Sequence, residues 1–293
     1  LVPPGDRPAR ASDWAANQVY MGHFAVTDVA GQQHQAFERL ARGAAGLAGA
    51  QAEPYQVWLE DWRVQEVAPG VVRMSAAADG LAVDLTLTDT KGPVLQGDRG
   101  YSQKGPDPGN ASYYYSLTRL RTEGTVTVDG QSASLQGWSW KDHEYSTSAL
   151  APDQVGWDWF ALQLDDNSEL KAFHIRKADG SVDPFSAGSF IDAAGNVTRL
   201  GRGDFQIDLG DDDESVWRSP RSGAEYPARW TITVPSLALR LDIEPYLADQ
   251  ELNVSYDYWE GAVRVSGERA GRPVSGDGYV ELTGYAGSMQ GQF

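Results

Sequence analysis

The chain repeats itself at a spacing that sets its gross organisation. His23-Phe24-Ala25-Val26 and then Ala36-Phe37-Glu38-Arg39 are matched by Trp159-Phe160-Ala161-Leu162 and Ala172-Phe173-His174-Ile175, both at an offset of 136. Gly124-Thr125-Val126-Thr127-Val128-Asp129-Gly130 is matched by Gly261-Ala262-Val263-Arg264-Val265-Ser266-Gly267 at an offset of 137. Gly137, Trp140 and Asp142 then recur as Gly276, Tyr279 and Glu281 at an offset of 139. Blocks in the same order with so long a period predict two tandem related domains and not a solenoid.

Each half reads as strands. Residues 83–87, 124–128, 205–209 and 237–243 alternate apolar and polar, the period of a half-buried strand. Asp129-Gly130, Asp179-Gly180 and Ala194-Gly195-Asn196 supply the turns. The one helix-like stretch, residues 35–47, is broken by Gly43 and Gly46 and overlaps a repeat block, so strand followed by loop is expected there. Many short, regularly spaced strands point to an all-β fold of antiparallel barrels or sandwiches. The connector 149–156, with Pro152, divides the chain into domains at 1–150 and 151–293.

Composition removes several function classes. A net charge of −17 and a pI near 4.5 argue against a nucleic-acid partner, because phosphate binding needs basic patches. No apolar run approaches the ~18 residues of a membrane helix, so an integral membrane protein is not expected. The absence of cysteine excludes disulfides, thiol catalysis and cysteine metal sites. No His pair has ligand spacing, and Asp211-Asp212-Asp213-Glu214 lacks the glycine and spaced ligands of a calcium loop. That run reads as a solvated loop. There is neither a phosphate-cradling glycine loop nor a Gly-x-Ser-x-Gly elbow, so no cofactor and no serine nucleophile are implied. The chain starts at Leu1 with an irregular, Pro-rich lead-in, as a processed or truncated product would.

The candidate chemistry is concentrated between residues 137 and 160. Trp138, Trp140, Trp157 and Trp159 are four of the ten tryptophans, interleaved with Asp142, His143, Glu144 and Asp158. Indoles can line a pocket and still hold oriented hydrogen bonds. A carboxylate-flanked His among them would titrate near neutrality and move protons. The same alternation is also what core rings on two strands would show. His174 alternates with Phe173 and Ile175, which puts it on the other face, at the surface. His23 and His34 carry no partner signal and read as structural or exposed. Glu260 and Glu281 sit in strand pattern and are expected on a solvated face.

A set of ordered motifs resembles a known family. These are Gly22-His23-Phe24-Ala25, Leu95-Gln96-Gly97-Asp98, Lys104-Gly105-Pro106-Asp107 leading to Ser112-Tyr113-Tyr114-Tyr115, Asp142-His143-Glu144-Tyr145 and Gly156-Trp157-Asp158-Trp159. They continue with Trp217-Arg218-Ser219-Pro220-Arg221, Asp249-Gln250-Glu251-Leu252, Tyr258-Trp259-Glu260-Gly261 and Gly278-Tyr279-Val280-Glu281. Over nearly its whole length the chain resembles the bacterial AttH-like and carotenoid 1,2-hydratase-like proteins, often labelled secreted hydrolases. The resemblance implies two lipocalin-like β-barrels. It also implies an aromatic Glu-Trp-Trp-Tyr segment upstream of His23, which this sequence lacks, so the first barrel is expected to be short of strands, with an open edge.

Related hydratases depend on a His and an aromatic two residues later, which map to His143 and Tyr145. Hydration needs an acid to protonate an alkene, and Asp142 or Asp158 would fill that role. Trp157 and Trp159 would stabilise the cation. Asp142, His143, Tyr145, Asp158 and His174 form the candidate catalytic set. Trp138, Trp140, Trp157 and Trp159 are candidate ligand contacts, joined by Tyr113, Tyr115, Trp259 and Tyr279. Asp142, His143, Tyr145, Trp157 and Asp158 are expected to converge in one partly buried cleft. The expected function is binding of a hydrophobic small molecule (a lipid, polyene or isoprenoid), with acid-catalysed hydration, isomerisation or cyclisation of an alkene. The alternative is a non-enzymatic carrier working with an ABC-type export system, in which Asp142-His143 is a structural clasp. Either role implies a periplasmic or secreted location.

Overall fold

The computed structural model describes residues 12, 14–16, 18–146, 150–210 and 215–289. The lead-in before Ser12 and the acidic run Asp211-Asp212-Asp213-Glu214 lie outside the described residues. β1 (Val19–Asp28) and β2 (Gln33–Arg42) form a two-stranded sheet, so the helix-like stretch is indeed strand and then turn. A nine-stranded sheet follows. It contains β3 (Ala48–Gln51), β4 (Gln56–Leu59), β5 (Trp62–Ala68), β6 (Val71–Ala78), β7 (Leu81–Asp89), β8 (Val94–Leu95), β9 (Tyr101–Gln103), β10 (Ala111–Val128) and β11 (Gln131–Ser146).

The third sheet begins with β12 (Gln154–Leu164), β13 (Glu169–Lys177), β14 (Ala187–Ile191), β15 (Val197–Gly201) and β16 (Gln206–Leu209). β17 (Val216–Arg218) and β18 (Glu225–Pro227) form a separate two-stranded sheet. β19 (Trp230–Val234), β20 (Leu239–Pro245), β21 (Glu251–Asn253), β22 (Asp257–Arg269) and β23 (Arg272–Leu282) complete the ten-stranded sheet. A 3₁₀ turn spans Pro235–Leu237. No helix among the described residues is long and apolar enough to cross a membrane.

The matched sequence blocks fall on β1, β2, β10 and β11 in the first half, and on β12, β13, β22 and β23 in the second. The hairpins β10–β11 and β22–β23 turn through Asp129-Gly130 and Ala270-Gly271. All four residues have positive φ, between 49° and 77°. Two positive φ values in a two-residue loop match the twist of the flanking strands, which fixes register in both hairpins.

The strands separate into two compact units. One comprises residues 1–26, 36–90 and 119–139; the other comprises 27–35, 91–118 and 140–293. The hydrogen-bonded sheets change over between β11 and β12, near the expected connector, whereas the compact units divide within β10 and β11. In the first unit, Phe24, Ala48, Leu59, Trp62 and Leu81 form the buried core, with Phe37, Val83 and Val128 packed against it. The β1–β2 hairpin therefore joins β3–β7 through side chains, and among the described residues β3 and β11 end the nine-stranded path.

In the second unit, β12, β13, β14, β15, β19, β20, β22 and β23 all send apolar residues into one core, and Ile207 of β16 packs against it. A sheet whose strands all face a single cluster must curl around it, the geometry of a barrel. Directly paired residues share a face, so register divides the second sheet cleanly. Phe160 pairs with Ala172 and Val280, and all three lie in the core. One residue away, Trp159 pairs with Phe173 and Glu281, and Ala161 pairs with Lys171 and Tyr279, on the outer face.

Residues of the segment 91–118 cover that outer face. Gln163 Nε2 donates to the Thr118 carbonyl at 2.7 Å, Lys91 pairs with Glu169 at 2.9 Å, and Ser189 Oγ donates to Gln96 at 2.9 Å. Gly97 is what lets the chain turn at Gln96. Its φ is +61°, and a Cβ there would meet the Tyr101 carbonyl oxygen at 2.3 Å.

Candidate functional site

The outer face of β12, β13 and β23 carries the densest chemistry in the second unit. Trp157 and Trp159 of β12, Lys171 and Phe173 of β13, and Tyr279 and Glu281 of β23 share it. Glu260 of β22 stands directly opposite Glu281. Above them β10 presents Ser112, Tyr114 and Ser116, all buried, and β11 adds Trp140, Asp142 and Glu144.

Asp142 is the hub. Its Oδ1 accepts from Ser116 Oγ at 2.5 Å and from Trp140 Nε1 at 2.7 Å, and its Oδ2 accepts from the Tyr114 hydroxyl at 2.5 Å. Trp159 Nε1 donates to that hydroxyl at 3.2 Å, and Gln96 Nε2 donates to Ser116 Oγ at 2.9 Å. The residue keeps solvent-exposed surface on its strand, yet its carboxylate is tightly surrounded by protein, as at the floor of a recess. Desolvation lifts the Asp142 carboxyl above the usual range, against the pull of its three donors and Lys171.

Four further ionisable groups line the same face. Burial would raise the Glu144 carboxyl, but Lys104 at 2.9 Å and Ser112 hold it below the ordinary value. Glu281 accepts one hydrogen bond, from Trp157 Nε1 at 3.1 Å. Burial pushes it well above the usual carboxylate range, and the Glu260 charge opposite pushes it further. Glu260 is raised by burial as well. Two carboxyls this close and this poorly solvated favour keeping a proton between them. Lys171 is 1% exposed, and its Nζ lies 4.5 Å from the Tyr114 ring centre and 4.2 Å from that of Phe173. Burial and the neighbouring Lys104 bring its amine down to about 7.

Strand alternation splits both candidate motifs. On β11, Asp142 and Glu144 reach this cluster, while His143 and Tyr145 point the other way. The His143 ring stacks on Tyr115 at 5.1 Å and meets Tyr145 edge-on at 5.7 Å. Tyr145 stacks on Tyr113 at 5.4 Å, so these four rings form a ladder of their own. Desolvation, and then Lys141, lower the His143 pKa. On β12, Trp157 and Trp159 belong to the cluster, but Asp158 faces the core side. There it pairs with Arg176 at 3.0 Å and accepts from the Tyr285 hydroxyl at 3.0 Å. The expected convergence of His143, Tyr145 and Asp158 with Asp142 and Trp157 does not occur, because neighbours along a strand cannot share a face.

Four other expectations are corrected. His174 is on the face opposite Phe173, as alternation requires, but it is buried against Phe205 at 5.4 Å and does not reach the surface. Its Nε2 has no hydrogen-bond partner among the described residues, and burial lowers its pKa to about 4. Trp259 lies in the apolar core, its Nε1 donating to the Ala248 carbonyl at 2.8 Å. Trp138 is exposed in the first unit beside Arg119. Glu260 and Glu281 are not on a solvated face. Trp140, whose ring meets Trp159 edge-on at 6.4 Å, and Tyr279 do join the cluster. His23 is half-buried beside Glu38 and His34 is bound to Thr27, both as structural groups.

Lys104 and Tyr114 stood in the family motifs without a role assigned to them, and Lys171 and Ser116 went unnoticed in the sequence. The one available signal was Glu169 and Lys171 alternating with Leu170 and Ala172 at the start of β13, which marks a face too polar for a core.

Comparison with known proteins fits this architecture. A family model described as AttH-like matches residues 2–285. The chain belongs to the AttH-like family. Its AttH-like fold is similar to the crystal structure of a putative AttH from Nitrosomonas europaea. The two share 33% identity and a TM-score of 0.82 over 94% of this chain and 83% of that one. The fold is also similar to kievitone hydratase from Nectria haematococca, at 18% identity and a TM-score of 0.74 over 91% of this chain and 80% of that one. CghA shares the fold more distantly, at 11% identity and a TM-score of 0.53 over 85% of this chain and 76% of that one. No curated protein matches this AttH-like chain. Two lipocalin-like antiparallel β domains are thus the architecture of the family member described here.

Proposed function

We propose that this AttH-like protein adds water across a carbon–carbon double bond of an apolar, unsaturated small molecule. The observation that carries the reading is the pairing of two differently held carboxyls on one aromatic-walled face. Glu281 is half-buried beside Glu260, and desolvation there favours its protonated form. Asp142 is held by three donors that suit its anion. Burial raises both carboxyls, Glu281 well above the usual range and Asp142 against the pull of its donors, and carboxyls held this differently suit an acid and a base.

In this mechanism the Glu281 carboxylic acid gives its proton to one alkene carbon. The cation formed on the other carbon lies against the faces of Trp157 and Trp159. A water molecule adds its oxygen to that carbon and gives its extra proton to Asp142. Exchange with solvent returns the proton to Glu281, so the net change is alkene plus water to alcohol. The resemblance of the fold to a protein named as a hydratase supports this class of reaction. Acyclic polyenes and other branched alkenes are the substrates to offer, with ¹⁸O-water as the tracer. Product gaining one ¹⁸O, and losing it in Glu281→Gln and Asp142→Asn, is the expected result. A general acid or base contributes ~10²–10⁴ in rate, so each variant should fall by at least about a hundredfold. Bound alkene in a native mass spectrum with no ¹⁸O product in any condition would favour the carrier.

A further inference from the structure

The chain has five lysines, and their surroundings differ sharply. Lys91 is paired with Glu169, Lys104 with Glu144 and Lys177 with Asp153, at 2.9, 2.9 and 2.6 Å. Lys171 forms no hydrogen bond and no ion pair among the described residues. It is nonetheless fully enclosed, its Nζ held between the faces of Tyr114 and Phe173. Lys104 sits over the same two rings, at 5.2 and 4.4 Å from their centres. A cation stored for stability would be paired directly with a carboxylate, whereas this one rests against ring faces and feels Asp142 and Glu144 only through their charge. Desolvation and a neighbouring cation are the two devices that turn a lysine into a nucleophile, and both act here.

We propose that Lys171 is an amine nucleophile that captures a small aldehyde or ketone as an imine. The Nζ lone pair bonds to the carbonyl carbon while the carbonyl oxygen takes a proton, giving a carbinolamine. Nζ then loses its protons as the carbon–oxygen bond breaks. The products are the C=N bond and one water, with no change of oxidation state. Asp142 and Glu144, whose charges act on Lys171, are the carboxyl groups at hand to protonate the leaving oxygen. Trp159 and Tyr279, next to Lys171 on the face, are only half-buried, which leaves a way in for a flat, unsaturated carbonyl compound. An enclosed amine between rings selects such a compound over a hydrophilic sugar. This activity goes beyond the hydration proposed above and does not require Glu281.

The test uses the intact protein with cinnamaldehyde and sodium cyanoborohydride, followed by peptide mapping of the reduced adduct. Lys171 should be labelled at least about tenfold faster than Lys91, Lys141 and Lys177 at pH 7.5. The labelling rate should rise through about pH 7, where the Lys171 amine titrates. The charged or titratable groups around it are Lys104 before β10, Tyr114 on β10, Asp142 and Glu144 on β11, Glu169 on β13, and Tyr279 and Glu281 on β23. Lys171→Met should remove the fast adduct. If that variant fails to fold, the map of the unmodified sequence decides alone. Glu281→Gln, which abolishes the hydration, should keep the adduct, so the two readings fail separately. Lys171 unlabelled, or labelled no faster than the other lysines, overturns the proposal.

Discussion

At the scale of single residues, the cluster sets two opposite pH responses against each other. The Glu281 carboxyl has a folded pKa above its unfolded one, so the folded state holds the proton more tightly. Its contribution to stability is present at low pH and is lost as pH rises through the folded value. Glu281→Gln keeps an acceptor for Trp157 and removes the charge. Its melting temperature should therefore exceed that of the parent at pH 8 by a few degrees, the response to ~1 kcal/mol in a domain of this size, and match it near pH 4.

Lys171 behaves the other way. Its amine drops from 10.5 to about 7 on folding, so the cost of burying it is absent above 10.5 and complete below 7. Lys171→Met should raise the midpoint most at neutral pH and least near pH 10, measured by thermal melts across that range. His143 gives a third expectation. It stacks with Tyr115 and Tyr145 away from Asp142, so His143→Gln should keep turnover within about threefold while Asp142→Asn abolishes it.

At the scale of elements, β12 holds the site on one face and a structural ion pair on the other. Asp158 is buried with Arg176, and the Arg176 guanidinium also donates to the Thr283 carbonyl that closes β12 against β23. Asp158→Asn leaves the guanidinium unpaired. Loss of one partner of a buried pair costs ~3–5 kcal/mol, so urea unfolding should shift by that amount. Alternation alone already separates Trp157 and Trp159 from Asp158, and Asp142 and Glu144 from His143, and this much was legible in the sequence. Closeness along the chain instead grouped them into one site. Tyr114 and Ser116 reach Asp142 across the β10–β11 hairpin; what was not legible is that the start of β10 is laid over β12–β14, which brings Trp159 and Lys171 to the same cluster. Nothing in local pattern predicts that packing. The duplicated blocks and the turns at Asp129-Gly130, Asp179-Gly180 and Ala194-Gly195-Asn196 were local, and strands end or begin beside each of them.

At the scale of the molecule, the two cores are unequal. In the second unit Phe160, Leu162, Ile232, Leu241, Val263 and Val280 are all at 0% exposure, whereas the buried core of the first unit ranges from 3% to 8%. Local stability follows buried apolar packing. Hydrogen exchange should therefore be slowest in β12, β13, β22 and β23 and faster in β3–β7, as read by mass spectrometry of peptides. Equal protection across both sets would contradict the difference in packing.

The two-faced register of β12 also limits how its length can change. Adding one residue within the strand would exchange its faces beyond that point, sending an indole where Phe160 packs and Phe160 among the carboxyls. The core and the reaction site would fail together. Adding two residues would restore the faces and only displace the cluster along the sheet. Length variation tolerated by relatives of this chain in β12 should therefore come in even steps, and odd ones should fall in the turns on either side.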